Sequence, residues 1–186
     1  MTDVAEKLYE RLLVLRFQAG DEAAFAELVE RYHFRLRYFV RKILGELDCS
    51  DDVVQDVWFD VFRQANRLRD ASAFATWVYR IAHDRACRTL RRRGVQYVSI
   101  EEAAIVADST SEADFSAEEI GRIHAGMDAL PFEQREALVL RFIEEMSYED
   151  IARVVGCPVG TVRSRIHYAK QSLRVILERT QLREPS

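Results

Sequence analysis

Ser147-Tyr148-Glu149-Asp150-Ile151-Ala152-Arg153-Val154-Val155-Gly156-Cys157-Pro158-Val159-Gly160-Thr161-Val162-Arg163-Ser164-Arg165-Ile166-His167 is the stretch whose reading decides the fold. Ser147 with Asp150 three residues on reads as a capping box, in which a hydroxyl and a carboxylate satisfy the free donors of a helix start. The helix so opened is short and stops at Gly156, the residue that a left-handed turn favours. Pro158 restarts a helix in its first turn, where its missing N–H costs nothing. Along this second helix Val159, Val162, Ile166, Ala169 and Leu173 make one apolar stripe, and Thr161, Arg163, Ser164, His167, Tyr168 and Gln171 lie opposite. A short helix, a glycine turn and a second helix with a polar outer face form the helix-turn-helix pattern, whose second helix enters the DNA major groove N-terminal end first. An ordinary antiparallel helix hairpin is the bland alternative.

Outward from this motif the chain is helical throughout. Seven Gly and three Pro in 186 residues is sparse punctuation, and 48% hydrophobic with 31% charged residues suits a packed core and not a disordered chain. The spacing predicts a lead-in helix over 4–18 and a long helix over 21–45, capped by Asp21 and buried through Phe25, Leu28, Val29, Tyr32, Leu36, Phe39, Val40 and Ile43. A third helix, with Ser50 as cap, carries Val53, Val54, Val57, Trp58, Val61 and Phe62. A fourth, with Ser72 as cap, carries Phe74, Trp77, Val78, Ile81 and Ala82 and ends at Arg91-Arg92-Arg93-Gly94. The expected fold is therefore all-α: a helical domain over 1–93, an acidic linker over 94–117 and a helix-turn-helix domain over 118–182, which opens on Ile120, Ile123, Met127 and Leu130 and continues from Pro131.

The net charge of −4 argues against a nucleic-acid partner only until it is divided. Residues 94–121 hold seven of the 31 acids and no Lys or Arg, so 27 basic groups face 24 acids elsewhere. Twenty-four of the basic residues are Arg, the side chain suited to phosphate and base-edge forks. Arg80, Asp84, Arg88 and Arg91 share one side of their helix, within a segment that holds six Arg against one Asp between 80 and 93. Three widely spaced cysteines make no disulfide framework, and no apolar run reaches spanning length, so a cytoplasmic protein without membrane insertion is expected. No nucleophile–base set, phosphate loop or metal cluster is visible, so neither enzymatic activity nor a cofactor is expected. His83 and Cys87 stand four apart like two zinc ligands, but no second pair follows; Asp52, Asp56 and Asp60 form an acidic stripe that no His joins.

The helix-turn-helix stretch closely resembles the C-terminal region of extracytoplasmic-function sigma factors, the small sigma subunits of bacterial RNA polymerase. The resemblance extends to the first half. Gly20-Asp21 through Phe25, Asp52-Val53-Val54-Gln55-Asp56-Val57-Trp58 and Phe74-Ala75-Thr76-Trp77-Val78-Tyr79-Arg80-Ile81-Ala82 are similar to successive helices of the family's first conserved domain, and Leu130-Pro131 through Arg141 to the entry into its second. It implies a binding subunit that directs core RNA polymerase to promoter DNA and is commonly held by an anti-sigma factor. By the resemblance, Arg163, Ser164, His167 and Tyr168 meet the duplex minus-35 element, with Arg141 and Lys170 as candidate phosphate contacts. The minus-10 element, melted, falls to Asn66, Arg67, Leu68 and Arg69 of the 66–72 loop and to the face Arg80, Asp84, Arg88 and Arg91. Asp84 stands where relatives often carry Asn; it either accepts from a base amino group or pairs with Arg80 and Arg88. Asp52, Gln55 and Asp56 resemble the surface that docks on core polymerase. The rivals are an operator-binding helix-turn-helix regulator and an enzyme with a metal on Asp52, Asp56 and Asp60.

Overall fold

A computed structural model describes residues 2–45, 47, 49–94 and 117–181, with side chains over 4–45, 47, 49–94 and 123–178. Most of the expected acidic linker, 95–116, lies outside the described residues, as does the side chain of Ile120. The described residues are helical: α1 Thr2–Gln18, α2 Glu22–Leu44, α3 Ser50–Gln64, α4 Phe74–Arg92, α5 Ala117–Asp128, α6 Phe132–Leu138, α7 Tyr148–Val155 and α8 Val159–Gln181. Two 3-10 turns, Ala65–Arg67 and Ala71–Ala73, join α3 to α4, and a π-helical turn, Val139–Ile143, extends α6. None of the described helices is long and apolar enough to cross a membrane. The chain divides into two compact units.

The first unit packs α1 on α2, α2 on both α3 and α4, and α3 on α4. Its core follows from the stripes: Leu28, Leu36, Phe39 and Val40 of α2, Val54, Val57 and Val61 of α3, and Phe74, Val78, Tyr79 and Ala82 of α4 are all sealed from solvent. Each such side chain contributes roughly 1.5–3 kcal/mol through burial. Asp21 caps α2 as expected, its carboxylate accepting from Ala23 N at 3.0 Å and Ala24 N at 3.2 Å. Two other expected caps differ. Ser50 is already inside α3, with Cys49 at the cap position and no side-chain cap bond. Ser72 sits within the second 3-10 turn, where it is itself capped: Asp70 accepts from the Ser72 N–H at 2.9 Å and its hydroxyl at 2.7 Å. That turn shifts the start of α4 by one residue, to Phe74 with Ala73 at the cap position. Phe62, expected in the α3 stripe, is 53% exposed. It stands at the edge of an aromatic cluster in which Phe25 stacks on Phe17 at 4.7 Å and meets Phe62 at 5.2 Å and Trp58 at 6.0 Å. The three cysteines are free, and Cys87 packs its sulfur 3.4 Å from His83 Nε2.

In the second unit α6 and α5 both pack on α8. Gly126 of α5 makes a close approach: a Cβ there would lie 2.8 Å from Leu173 Cδ1. Pro131 takes the cap position of α6, its φ of −53° suiting a helix start, and its carbonyl accepts from Arg135 N at 3.0 Å. A polar knot joins α6 to α8. Glu136, 1% exposed, accepts from Arg165 at 3.4 Å, while Arg135 reaches the Asp128 carbonyl at 3.2 Å. Burial pushes the Glu133 carboxyl up beside this knot, and pushes the Cys157 thiol up as well.

Candidate nucleic-acid interface

The turn between α7 and α8 has the chemistry that its residues dictate. Ser147 Oγ accepts from Asp150 N at 3.0 Å, and the Ser147 hydroxyl donates to the Asp150 carboxylate at 2.6 Å. Asp150 is one methylene shorter than the usual Glu, and its carboxylate closes the box through the hydroxyl. Gly156 adopts φ +70°, ψ +34°, and its N–H reaches the Ala152 carbonyl at 2.9 Å. A side chain there would strain the left-handed backbone. On α8, Val162, Ile166 and Ala169 are buried as the stripe requires, and Arg163 is exposed with His167 one turn further on.

Two of the expected basic contacts converge on an aromatic ring. The guanidinium carbons of Arg141 and Arg163 lie 5.2 Å and 5.7 Å from the centre of the Tyr148 ring. Arg141 also donates to the Met146 carbonyl at 3.0 Å, so it is held in place by the loop that precedes α7. Its position comes from the π-helical turn, in which Glu144 N–H bonds five residues back to Val139 O and one extra residue is accommodated. Lys170 stands over Phe142 at 5.2 Å, and His167 and Tyr168 meet edge to face at 5.5 Å. Cation–π contacts of this kind are worth about 0.5–1 kcal/mol at exposed sites and leave the charge available to a phosphate. Ser164 is the exception. Expected on the outer face, it is 7% exposed, and its hydroxyl turns back to the Thr161 carbonyl at 2.9 Å, a local bond open to a short side chain on a helix. Tyr148 and Phe142 were not among the expected residues; only their place between basic positions of neighbouring elements makes them matter.

In the first unit Arg80, Asp84, Arg88 and Arg91 are all exposed on one side of α4. Among the described residues Asp84 pairs with neither arginine; its carboxylate lies 3.7 Å from His83 Nδ1. Arg85 faces the other way and binds α3, reaching Asp60 at 2.6 Å and Asp56 at 3.1 Å. Asp52, Gln55 and Asp56 are exposed on α3, so two of the three stripe carboxylates, Asp56 and Asp60, share one guanidinium. In the loop Asn66, Arg67 and Arg69 are exposed but Leu68 is not. Leu68, expected to face nucleic acid, is buried at 9% and anchors the loop from below. Gln18 of α1 fastens the same loop, donating to the Ala65 carbonyl at 2.9 Å and the Leu68 carbonyl at 2.7 Å. No periodicity signals such a contact across 47 and 50 residues.

Two family models match this arrangement: sigma-70 region 2 over residues 28–95 and sigma-70 region 4 over residues 120–173. The ECF RNA polymerase sigma-E factor of Escherichia coli K12 is 36% identical over 182 residues, covering 91% of this chain and 95% of that protein. The chain belongs to the ECF family of RNA polymerase sigma factors. A second relative, the RNA polymerase sigma-H factor of Pseudomonas aeruginosa, is 34% identical over 181 residues, with 91% and 94% covered. Among solved structures, CnrH in complex with the cytosolic domain of CnrY superposes with a TM-score of 0.65 at 27% identity, covering 91% of this chain and 97% of that one. The sigma factor RpoE from Bartonella quintana, in complex with the anti-sigma factor NepR, shares the fold with a TM-score of 0.66 at 24% identity, covering 83% and 96%. The protein is thus an ECF sigma factor, an initiation factor of transcription and not an enzyme.

Proposed function

We propose that this sigma factor brings core RNA polymerase to promoters through two readers, residues 1–93 and 118–182, tethered by 94–117. In this reading α8 lies in the major groove of the minus-35 element. Arg163 forks onto a base edge with His167 and Tyr168 beside it, and Arg141 and Lys170 hold phosphates. Ser164 is left out of the set because its hydroxyl is spent on the helix. The observation that carries the reading is the convergence of Arg141, from the π-helical turn, and Arg163, from α8, on Tyr148: two basic groups from separate elements on one surface. A tethered pair of weak readers gains by effective concentration without a strong contact in either.

The minus-10 element, melted, falls to Asn66, Arg67 and Arg69 and to the α4 face Arg80, Asp84, Arg88 and Arg91. A base taken out of the stack costs a few kcal/mol, which stacking and edge hydrogen bonds recover. Asp84, unclaimed by Arg80 or Arg88, is available to accept from a base amino group and repels phosphate. Asp52, Gln55 and Asp56 dock on core polymerase, and an anti-sigma factor holds the chain inactive in the cytoplasm. The solved sigma factors captured with CnrY and NepR support that last role.

Run-off transcription with purified core polymerase and a genomic promoter library tests the proposal. New start sites that depend on this subunit are expected, and their absence would sink it. Asp84→Asn in the same assay is expected to change the preferred minus-10 sequence; an unchanged preference removes Asp84 from the reading set.

A further inference from the structure

In the second unit a tyrosine ring stands where carboxylates stand for other arginines. Arg135, Arg165 and Arg174 each lie against an acid: Asp128 at 3.8 Å, Glu136 at 3.4 Å and Glu178 at 3.1 Å. Arg141 and Arg163 have no carboxylate partner among the described residues; what they share is the Tyr148 ring. Asp150, two residues beyond that tyrosine, accepts the Ser147 hydroxyl at 2.6 Å. A carboxylate orients a guanidinium and cancels its charge, whereas the negative face of a ring orients it and leaves the charge in place. Two cations held in this way keep the local positive potential that draws a phosphate backbone.

The two arginines are not held alike. Arg141 has a second tie, the Met146 carbonyl at 3.0 Å, whereas the ring is the one polar or aromatic partner of the Arg163 guanidinium among the described residues. The ring is carried on a fixed backbone, because the Ser147 box makes Tyr148 the first residue of α7, and its side chain is half-buried. A long arginine side chain gives up conformational freedom when it grips a base edge, and a partner that aligns it beforehand lowers that cost. On the reading that places α8 in the minus-35 groove, on which this rests, we infer that Tyr148 is a positioning residue: its ring aligns Arg163 for the base edge and joins that contact to the phosphate contact of Arg141. The ring does this and the hydroxyl does not. An asymmetry follows. Loss of the ring releases Arg163 and blurs sequence preference, while Arg141, still tied to Met146, goes on holding its phosphate.

The test uses the full chain assembled with core RNA polymerase and a pool of DNA duplexes randomised over a long window. Sequencing of the bound fraction reads base preference, and binding across a salt series reads the number of phosphates held. Arg163→Ala is expected to flatten particular positions of the upstream motif. Tyr148→Ala is expected to flatten the same positions, with preference for the motif over the pool falling about tenfold and the salt slope kept. Tyr148→Leu, which fills the space without a π face, is expected to match Tyr148→Ala, and Tyr148→Phe to match the wild type. Arg141→Ala is expected to lower the salt slope by about one and leave the motif in place. The downstream motif, owed to the first unit, is expected to persist in every variant and so shows that each still folds and assembles. Three results overturn the proposal: a motif restored by Tyr148→Leu, which would make the ring filling alone; a Tyr148→Phe as defective as Tyr148→Ala, which would give the hydroxyl a direct contact; or a Tyr148→Ala motif that is unchanged. A wild type that enriches only a downstream motif removes the minus-35 reading itself, and the positioning role with it, before any variant is compared.

Discussion

Gln18, the last residue of α1, and Asp21, the cap of α2, sit three residues apart, and each fixes something larger than itself. The Gln18 amide satisfies two loop carbonyls, and Gln18→Ala leaves both without that donor in a part-buried place. Removing a partner from such groups costs about 1–3 kcal/mol each at full burial, so the variant is expected to melt several degrees lower and to bind a minus-10 single strand more weakly, as thermal melts and anisotropy would read. Asp21 is held below its ordinary 3.8 first by the hydrogen bond from Arg16 and then by the Ala24 N–H. A depressed carboxyl stabilises the fold above its unfolded value and loses that contribution as pH falls through its folded value. The melting temperature is therefore expected to fall as pH drops from 5 toward 3, and less steeply in Asp21→Asn. Asp21 was legible as a cap because it directly follows the breaker Gly20, ahead of Glu22-Ala23-Ala24 and an apolar stripe. Gln18 was not, because its partners are brought to it only by the packing of α1 on the loop. Ser164 misled for a third reason: its position on the helical wheel is outward, but a short hydroxyl beside its own backbone bonds there first.

At the scale of elements, the placing of α8 rests on a polar pair as well as on its apolar stripe. Glu136 is buried almost completely and has Arg165 as an ion partner, and Val162 and Ile166 are buried on the same helix as Arg165. Cutting a buried pair on one side costs more than removing it whole, since an uncompensated charge remains. Arg165→Met alone is expected to destabilise by about 3 kcal/mol, and Glu136→Leu/Arg165→Met to recover most of that loss, measured by urea unfolding. Helix order was readable because the apolar stripes of α2, α3, α4, α5 and α8, with the start signals at Pro131 and Ser147 and few breakers elsewhere, leave little choice. Helix starts were less so: the caps expected at Ser50 and Ser72 failed where a 3-10 turn or a bare backbone start took their place. The π-helical turn left no mark in the pattern, and it is the element that carries Arg141 to Tyr148.

Across the whole molecule, a helix-turn-helix unit and a four-helix unit stand at the two ends of one chain, each with its own core. The charge is likewise uneven along the sequence, with acids and no bases over 94–121 between two arginine-bearing stretches. Its net value of −4 describes neither half. The aromatic residues are divided as unevenly as the charge. Both tryptophans, Trp58 on α3 and Trp77 on α4, belong to the first unit, and the second has none. Indole emission therefore watches one half of the protein while peptide ellipticity watches both. On heating, the two signals are expected to trace different curves if the halves melt separately and to superimpose if they melt as one. Quenching by iodide, or a wavelength shift on adding a single DNA strand, would likewise report on the first half alone, through Trp58 and Trp77.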